Sequence, residues 1–348
     1  MWISFIFTFV NFNCHSLQSP IFRSSAMHIP SSLSTSVLGW ASMFSQSAVI
    51  EESDVQVTLN PFYPSFPLKF RPVVIWHGLG DNYNSSSINR TISVIKESHP
   101  DIFAHPIYVD VDPDEDEKRT LFGDANKQIE LVCEQLQEIP ELARGFDAIG
   151  FSQGGLLLRG LVERCPEISI NNLITFGSPH MGISDISLCD DTKDWICKRR
   201  NALLKSQIWL DSIQQTFLPA SYFRDLAQYD KYVFHSHFLA DVNNELVDHF
   251  NSTYRKNLNS LNKLVMIKFN KDSTLVPKES AWFGELDPET GDVVDFDKTT
   301  LYLEDLIGLR ELHFSGKLEF LDVDEDHMKI PQELLVMIVQ RYIGGIVF

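Results

Sequence analysis

Runs of consecutive apolar residues, without the alternation of a half-exposed strand, recur along the chain from residue 72. Four such runs are Pro72–Trp76, Phe146–Ile149, Asn172–Phe176 and Leu264–Phe269, and a strand of more mixed polarity is predicted at Lys317–Val323. Unbroken apolar runs of this length are typical of strands that are buried on both faces of a parallel sheet. The pattern therefore predicts a mostly parallel central sheet.

Helical periodicity fills the stretches between these strands. Ile129, Val132, Cys133 and Leu136 recur at positions i, i+3, i+4 and i+7, which predicts a helix that ends before Pro140. Further helices are predicted at Gly155–Arg164 and, after Pro331, at Gln332–Tyr342. Strands that alternate with helices along the chain predict an α/β fold.

A serine lies between one strand and the helix after it, in the sequence Gly150-Phe151-Ser152-Gln153-Gly154. Glycines on both sides leave room for a sharp strand-to-helix turn, because a Cβ there would clash with the neighbouring strand and helix. Such a turn exposes the hydroxyl at the helix N-terminus, where backbone N–H groups face a developing oxyanion. We interpret Ser152 as a nucleophile; the alternative is a Gly-Ser turn without chemistry.

A serine nucleophile needs a base, and the base needs a carboxylate that orients it. In hydrolases with this turn the partners follow the serine in the order Asp, His, each after a strand. Asp272 comes three residues after the strand that ends at Phe269, and His327 follows the last strand. Asp241 and Asp305 are alternatives for the acid. His180 comes too early in the chain to follow the acid.

The first predicted strand ends in a glycine-rich loop, His77-Gly78-Leu79-Gly80-Asp81. This loop allows backbone N–H groups to approach a substrate. His77 precedes the serine, so we expect it to brace the loop rather than to act as the base. The acidic run Asp110–Glu117 lacks the glycine and the terminal glutamate of a calcium loop, which predicts a solvated loop.

The strand–helix alternation stops between about residue 183 and residue 262. This segment is rich in aromatic residues and leucine and predicts helices without strands between them. Because it follows a strand of the sheet, we expect a largely helical insertion that covers the active-site end. Its apolar side chains could hold an acyl chain or form ordinary core, and the pattern leaves both interpretations open.

The composition excludes some classes of protein. With 348 residues, of which 44% are hydrophobic, the chain can bury a large core. A formal net charge of −18 argues against a nucleic-acid partner, because phosphate binding relies on clustered lysine and arginine. The folded hydrolase domain is expected to span residues 72–348.

The N-terminal region predicts an atypical leader at residues 1–50. Trp2–Val10 is an apolar run of signal-peptide length, but no basic residue precedes it. Residues 51–71 predict an extended lead-in, since Pro61, Pro64 and Pro67 disfavour a helix. No other segment predicts a transmembrane helix, so we expect no stable transmembrane anchor.

Cysteines and glycosylation sequons together favour the secretory pathway. Cys14 would leave with a cleaved leader, and an even set remains: Cys133, Cys165, Cys189 and Cys197. An even set suits disulfides in an oxidising compartment, although four cysteines allow three pairings; free thiols in a cytosolic protein are the alternative. Sequons at Asn84, Asn89 and Asn251 are candidate glycosylation sites.

Several short segments resemble the lysosomal palmitoyl-protein thioesterase family, which has the α/β-hydrolase fold. They are His77–Asp81, Gly150–Gly155, Arg164–Pro166, Phe238–Asn243, Ser280–Gly284 and Thr299–Tyr302. The resemblance runs from about residue 72 to the C-terminus. One departure is Asn82-Tyr83, where family members can carry a cysteine pair.

The resemblance implies a catalytic triad of Ser152, Asp272 and His327, with the backbone N–H groups of Leu79 and Gln153 as the oxyanion hole. It also implies disulfides Cys133–Cys165 and Cys189–Cys197, and an acyl groove formed largely by the insertion. The implied substrates are S-acylated proteins or peptides that carry a long-chain fatty acyl group, such as palmitate. No metal or cofactor is implied, and the implied location is the lysosome, with secretion as a further destination.

Two other functions compete with a thioesterase. A lipase or carboxyl esterase would share every catalytic residue, so only the insertion and the family motifs favour the thioesterase. A non-catalytic lipid-binding protein of the same fold would have no need for the strained serine turn.

Overall fold

Six parallel strands form the central sheet of the protein. In the computed structural model, which describes residues 69–185, 205–246 and 248–346, all described residues belong to one compact unit. The strands are β1 (Val73–Trp76), β2 (Ala104–Pro106), β3 (Phe146–Phe151), β4 (Ile170–Phe176), β5 (Lys263–Phe269) and β8 (Leu318–Val323). Their order across the sheet is β2-β1-β3-β4-β5-β8, and every neighbouring pair is parallel. The predicted parallel sheet of an α/β-hydrolase is therefore confirmed.

Helices connect and cover these strands. They are α1 (Ser86–Ser98), α2 (Pro113–Arg119), α3 (Ala125–Gln137), α4 (Gln153–Arg164), α5 (Asp211–Gln214), α6 (Tyr229–His235), α7 (Leu239–Val242), α8 (Ser252–Asn259), α9 (Thr300–Leu303), α10 (Leu309–Phe314) and α11 (Gln332–Tyr342). Two short strands, β6 (Glu285–Leu286) and β7 (Val293–Val294), form a separate antiparallel pair. None of the described helices combines the length and apolarity needed to cross a membrane.

The sheet separates two apolar cores, which explains why its strands do not alternate in sequence. Along β1, Val74 and Trp76 point into the core that contains α3 and α4, whereas Val73 and Ile75 point into the core that contains α1 and α11. All four side chains are buried. Because both faces are covered, neither set of alternate positions has to be polar.

The described residues between β4 and β5 contain helices α5 to α8 and short 3₁₀ turns, but no strand of the sheet. Their aromatic side chains are largely buried in the core that contains α3 and α4. Trp209, for example, packs edge-on against Phe223 and Tyr232. The boundaries proposed for this insertion stay a prediction. The expected leader, and the lead-in up to residue 68, lie outside the described residues.

A disulfide joins Cys133 to Cys165, with their Cα atoms 5.9 Å apart. The bond links α3 to the C-terminal end of α4, the helix that follows the predicted nucleophile. The other two cysteines, Cys189 and Cys197, lie outside the described residues.

The prediction of a solvated loop at Asp110–Glu117 was wrong. Residues Pro113–Arg119 form α2, and the side chain of Asp112 caps its N-terminus by accepting from the N–H of Asp114. Asp116 is fully buried. A buried carboxylate needs partners. Those of Asp116 are the backbone N–H groups of Val109, Asp110 and Tyr83 and the side chain of His77, contacts that sequence periodicity cannot detect.

Candidate active site

The predicted nucleophile lies on the turn that joins β3 to α4. Ser152 has φ 50° and ψ −121°, a left-handed conformation that is uncommon for a residue with a side chain. The neighbouring glycines have no positive φ; they provide space instead. A Cβ on Gly150 would lie 2.3 Å from the Cα of Gly155, and one on Gly154 would lie 2.3 Å from the carbonyl of His77. The turn therefore needs glycine for close packing, while Ser152 itself carries the strain.

The structure brings Ser152, His327 and Asp272 together, with His327 in contact with both of the others. Oγ of Ser152 lies 3.0 Å from Nε2 of His327, and Nδ1 of His327 lies 2.5 Å from Oδ2 of Asp272. Since an ionised carboxylate only accepts hydrogen bonds, Nδ1 carries the proton and Nε2 is free to accept from the serine. The backbone N–H groups of Thr274 and Leu275 both donate to Oδ1 of Asp272, at 2.9 and 2.8 Å, and hold this carboxylate in place.

The alternative acids are engaged elsewhere. Asp241 forms an ion pair with Arg164 and accepts a hydrogen bond from the Tyr254 hydroxyl. Asp305 forms an ion pair with Arg255. Within the described ranges neither contacts a histidine, whereas Asp272 contacts His327, so Asp272 remains the candidate acid.

His77 braces the glycine-rich loop, as the sequence predicts. Its Nε2 lies 2.9 Å from Oδ2 of the buried Asp116. Burial alone would raise the pKa of Asp116, but the close contact with His77 and the hydrogen bonds from the backbone N–H groups of Val109 and Tyr83 outweigh it, so this pKa is lowered. Asp116 is therefore an ionised anchor for the loop, and it is a residue that the sequence interpretation missed.

The two predicted oxyanion donors, Leu79 and Gln153, belong to segments that both come close to Ser152. Leu79 belongs to the loop after β1, and its neighbour Gly78 is so close that an added Cβ would lie 3.2 Å from Cβ of Ser152. Gln153 is the first residue of α4, so its N–H is among those that an α-helix leaves without an intrahelical partner. The assignment of these two N–H groups as the oxyanion hole stays a prediction.

The palmitoyl protein thioesterase family model matches residues 72–327 of this chain. The chain belongs to this family.

Named relatives agree with this assignment. The chain is 36% identical over 274 residues to palmitoyl-protein thioesterase 1 of Caenorhabditis elegans, which covers 78% of this chain and 91% of that protein. It is 34% identical over 264 residues to palmitoyl-protein thioesterase 3 of Dictyostelium discoideum, covering 76% and 87%. A lysosomal thioesterase PPT2 homolog of Drosophila melanogaster is 29% identical over 255 residues, covering 73% and 84%. The predicted family, fold class and thioester-hydrolase class are confirmed.

A pocket of about 250 Å³ opens beside Ser152 and His327 in this family member. Its lining is mostly apolar and includes Phe151, Leu275, Met328, Ile330 and Leu335. The insertion supplies Ile183, Asp185, Pro219 and Tyr222. Within the described residues, most of the wall therefore comes from sheet loops, α1 and α11, and not largely from the insertion as the family resemblance implies.

The described residues contain one group with the side-chain types and spacing of a metal site, Cys133, Cys165 and Glu167. Both cysteines are bonded to each other, which removes their thiolates as ligands. This group therefore carries no metal assignment.

The three candidate glycosylation sites occupy different settings. Asn84 and Asn89 are exposed, and the Asn89 amide donates to the carbonyl of Asn84 at 3.0 Å. Asn251 caps the N-terminus of α8 through its side-chain oxygen, which accepts from the N–H of Thr253. Glycosylation at these positions stays a prediction.

Proposed function

We propose that this protein hydrolyses the thioester bond between a long-chain fatty acyl group, such as palmitate, and a cysteine of an S-acylated protein or peptide. The observation that carries the proposal is the line of contacts Ser152–His327–Asp272 beside an apolar pocket, in a member of the palmitoyl protein thioesterase family.

The first half of the reaction forms an acyl-enzyme. Oγ of Ser152 attacks the thioester carbonyl, and Nε2 of His327 accepts the hydroxyl proton while Asp272 stabilises the imidazolium. The C–S bond then breaks, and the proton on Nε2 of His327 passes to the departing sulfur, which leaves His327 neutral for the second half of the reaction. The leaving thiolate has a parent pKa near 8.5, so it departs with less help from a general acid than an alkoxide would need.

During the attack the carbonyl oxygen becomes negatively charged. The backbone N–H groups of Leu79 and Gln153 donate to this oxygen in the proposed mechanism. The positions of the two residues support this role, because Leu79 lines the pocket and Gln153 directly follows the nucleophile at the start of α4. Fixed donors of this kind act most strongly in the transition state, where the charge is largest.

The second half releases the fatty acid. Water attacks the acyl-serine, His327 accepts a proton from that water and returns one to Oγ of Ser152, and the acid leaves the pocket. The products are a free cysteine thiol and a fatty acid. The apolar lining of Phe151, Met328 and Leu335 suits the hydrocarbon chain in each step.

The proposed location is the lysosome, reached through the secretory pathway, with secretion as a further destination. Two observations support it. Relatives such as the one in Drosophila melanogaster are named lysosomal thioesterases, and the Cys133–Cys165 disulfide suits an oxidising compartment.

The test is an assay of the purified protein on two peptides that differ in one atom. One carries S-palmitoyl-cysteine and the other O-palmitoyl-serine at the same position. We expect rapid release of palmitate from the thioester, slower release from the oxygen ester, and no release from either peptide with Ser152→Ala. A preference for the oxygen ester would favour a lipase or carboxyl esterase. Palmitate binding without release would favour a lipid-binding protein.

A further inference from the structure

The two proposed oxyanion donors lie on separate elements, which raises the question of what fixes the distance between them. Leu79 is in the loop after β1, and Gln153 is at the start of α4. Fixed donors stabilise an oxyanion only while both remain aimed at one point. A side chain that contacts both elements would therefore control the oxyanion hole without touching the substrate.

Thr120, the C-cap residue of α2, makes both contacts. Its Oγ1 accepts a hydrogen bond of 2.9 Å from the N–H of Gly80, next to Leu79. Its backbone carbonyl accepts a hydrogen bond of 3.1 Å from the side-chain amide of Gln153. We propose that Thr120 is a positioning residue that holds the two halves of the oxyanion hole in register.

The geometry of the hydroxyl supports this role. Oγ1 of Thr120 donates its one hydrogen to the carbonyl of Glu117, at 2.6 Å, so its lone pairs are left to accept from Gly80. Gly80 has φ +73°, in the left-handed region, and is itself exposed. The bond to Thr120 therefore helps to fix the conformation of an exposed turn at a residue with wide backbone freedom.

The Gln153 side chain is held from its other end as well. Its Oε1 accepts a hydrogen bond of 2.9 Å from the hydroxyl of Tyr222, which is buried in the pocket wall. Burial raises the pKa of Tyr222, so this hydroxyl stays a donor at every physiological pH. The amide orientation is thereby defined: Gln153 accepts from Tyr222 and donates to Thr120.

Helix α2 adds a second anchor one turn earlier. Asp116 and Thr120 are four residues apart, which places them on the same face of a helix. Asp116 contacts His77, at the start of the loop, and accepts from the N–H of Tyr83 just after the loop. Helix α2 and its C-cap residue thus hold the loop after β1 at its start, at Gly80 and at its end. Of the two anchors, Thr120 is the one that also contacts Gln153.

The inference rests on the proposed function, and the test separates the two. Thr120→Val keeps the side-chain shape but removes the acceptor, while the exposed N–H of Gly80 can then bind water. We expect kcat on the palmitoyl-cysteine peptide to fall about tenfold, less than the roughly 100-fold or greater loss for a deleted oxyanion donor. KM should stay within about twofold, since ground-state binding is unaffected. Thr120→Ser retains the acceptor and should stay within about twofold of wild type.

A second measurement needs no thioester. The rate at which a fluorophosphonate labels Ser152 also depends on the oxyanion hole, because the attacked phosphoryl oxygen gains charge. We expect the labelling rate to fall by the same factor as kcat in Thr120→Val. If wild type is labelled by the fluorophosphonate but does not cleave the palmitoyl peptide, the proposed function is contradicted. The labelling rates of wild type and Thr120→Val then still test this inference.

Ser260→Ala is a matched control. Ser260 is the C-cap residue of α8, and its hydroxyl donates to the carbonyl of Asn257 at 2.6 Å, the same local bond that Thr120 makes to Glu117. This control should not change either rate. If Thr120→Val does not fold, Gln153→Met removes the other contact of Thr120, the hydrogen bond to its backbone carbonyl, while it keeps the backbone N–H at position 153, and it should also lower kcat about tenfold. A folded Thr120→Val with wild-type kcat and labelling rate, or with a loss confined to KM, would overturn the inference.

Discussion

His180 and His327 both follow strands of the parallel sheet, and of these two only His327 has the contacts of a catalytic base. His327 comes after β8; its side chain is 14% exposed and lies between Ser152 and Asp272. His180 comes after β4 and is fully buried. Its Nε2 lies 3.0 Å from the hydroxyl of Thr175, and its ring stacks on Phe283 at a centroid distance of 4.6 Å.

The comparison shows what a base requires beyond the right residue type at the end of a strand. Among the residues that the structure describes, no carboxylate orients His180, and burial, followed by the nearby charge of Arg159, lowers its pKa well below the ordinary value. Its Nδ1 has no partner within the part of the chain that the structure describes. His180 is a neutral packing group. His327 instead has a carboxylate on one nitrogen and the nucleophile on the other.

The largest expected effect separates the two histidines directly. His327→Ala should lower kcat on a palmitoyl thioester by a factor of about 10⁵, because it removes the base that contacts Ser152. The measurement is steady-state hydrolysis, with far-UV circular dichroism to show that the variant is folded. Residual activity within tenfold of wild type would mean that another group accepts the serine proton.

Replacing the carboxylate should have a somewhat smaller effect. Asp272→Asn keeps the shape but allows the wrong histidine tautomer, and we expect kcat to fall by roughly 10⁴-fold. Asp241→Asn is the control, since Asp241 contacts Arg164 and no histidine; it should leave kcat nearly unchanged. If Asp241→Asn were the more damaging to kcat, the acid assignment would be wrong.

His180→Ala should show the reverse behaviour, a loss of stability with little loss of chemistry. It removes a buried ring, its contact with Thr175 and its stacking on Phe283, so the free energy of unfolding should fall by about 3 kcal/mol. Under conditions where the variant is folded, kcat should stay within a few-fold of wild type. Chemical denaturation and the peptide assay on the same preparation check both values. A 1000-fold loss of kcat in folded His180→Ala would place this histidine in the mechanism.

The smallest effect concerns pH. The pKa of His180 is lower in the folded than in the unfolded state, so its contribution to stability is complete above about pH 6.5 and is lost as the pH falls below it. The loss is limited to one proton, or about 1.4 kcal/mol per pH unit. His180→Gln should remove this slope. The comparison is unfolding free energy between pH 7 and pH 5 for wild type and variant.

Asp147, which is present in both wild type and His180→Gln, changes stability with pH in the opposite direction. Burial raises its pKa to about 6, although Asn171, Arg71 and two backbone N–H groups favour its charged form. Its contribution to stability therefore falls as the pH rises from about 4 to about 6. When the free energy of unfolding of His180→Gln is subtracted from that of wild type, the contribution of Asp147 cancels. Equal slopes for the two proteins would show that His180 titrates normally.

Some elements were predictable because their signal is local. Strands β1, β3, β4 and β5 are buried on both faces, and this burial leaves an unbroken apolar run in the sequence. Strand β2 was missed because it is an edge strand of three partly buried residues, Ala104–Pro106, one of them proline. Such a strand is defined by its pairing with β1 and not by its own composition.

The sequence alone determined the serine turn and the order of its partners. Gly150 is needed because a Cβ there would clash with Gly155 a few residues on, and Asp272 and His327 follow strands that composition reveals. The tertiary structure decided which histidine reaches the serine and which acidic residues are buried as anchors. Asp116 and Thr120 act through His77, Gly80 and Gln153, and such contacts between distant segments exist only once the chain has folded, because a polar side chain carries no sign of its partner.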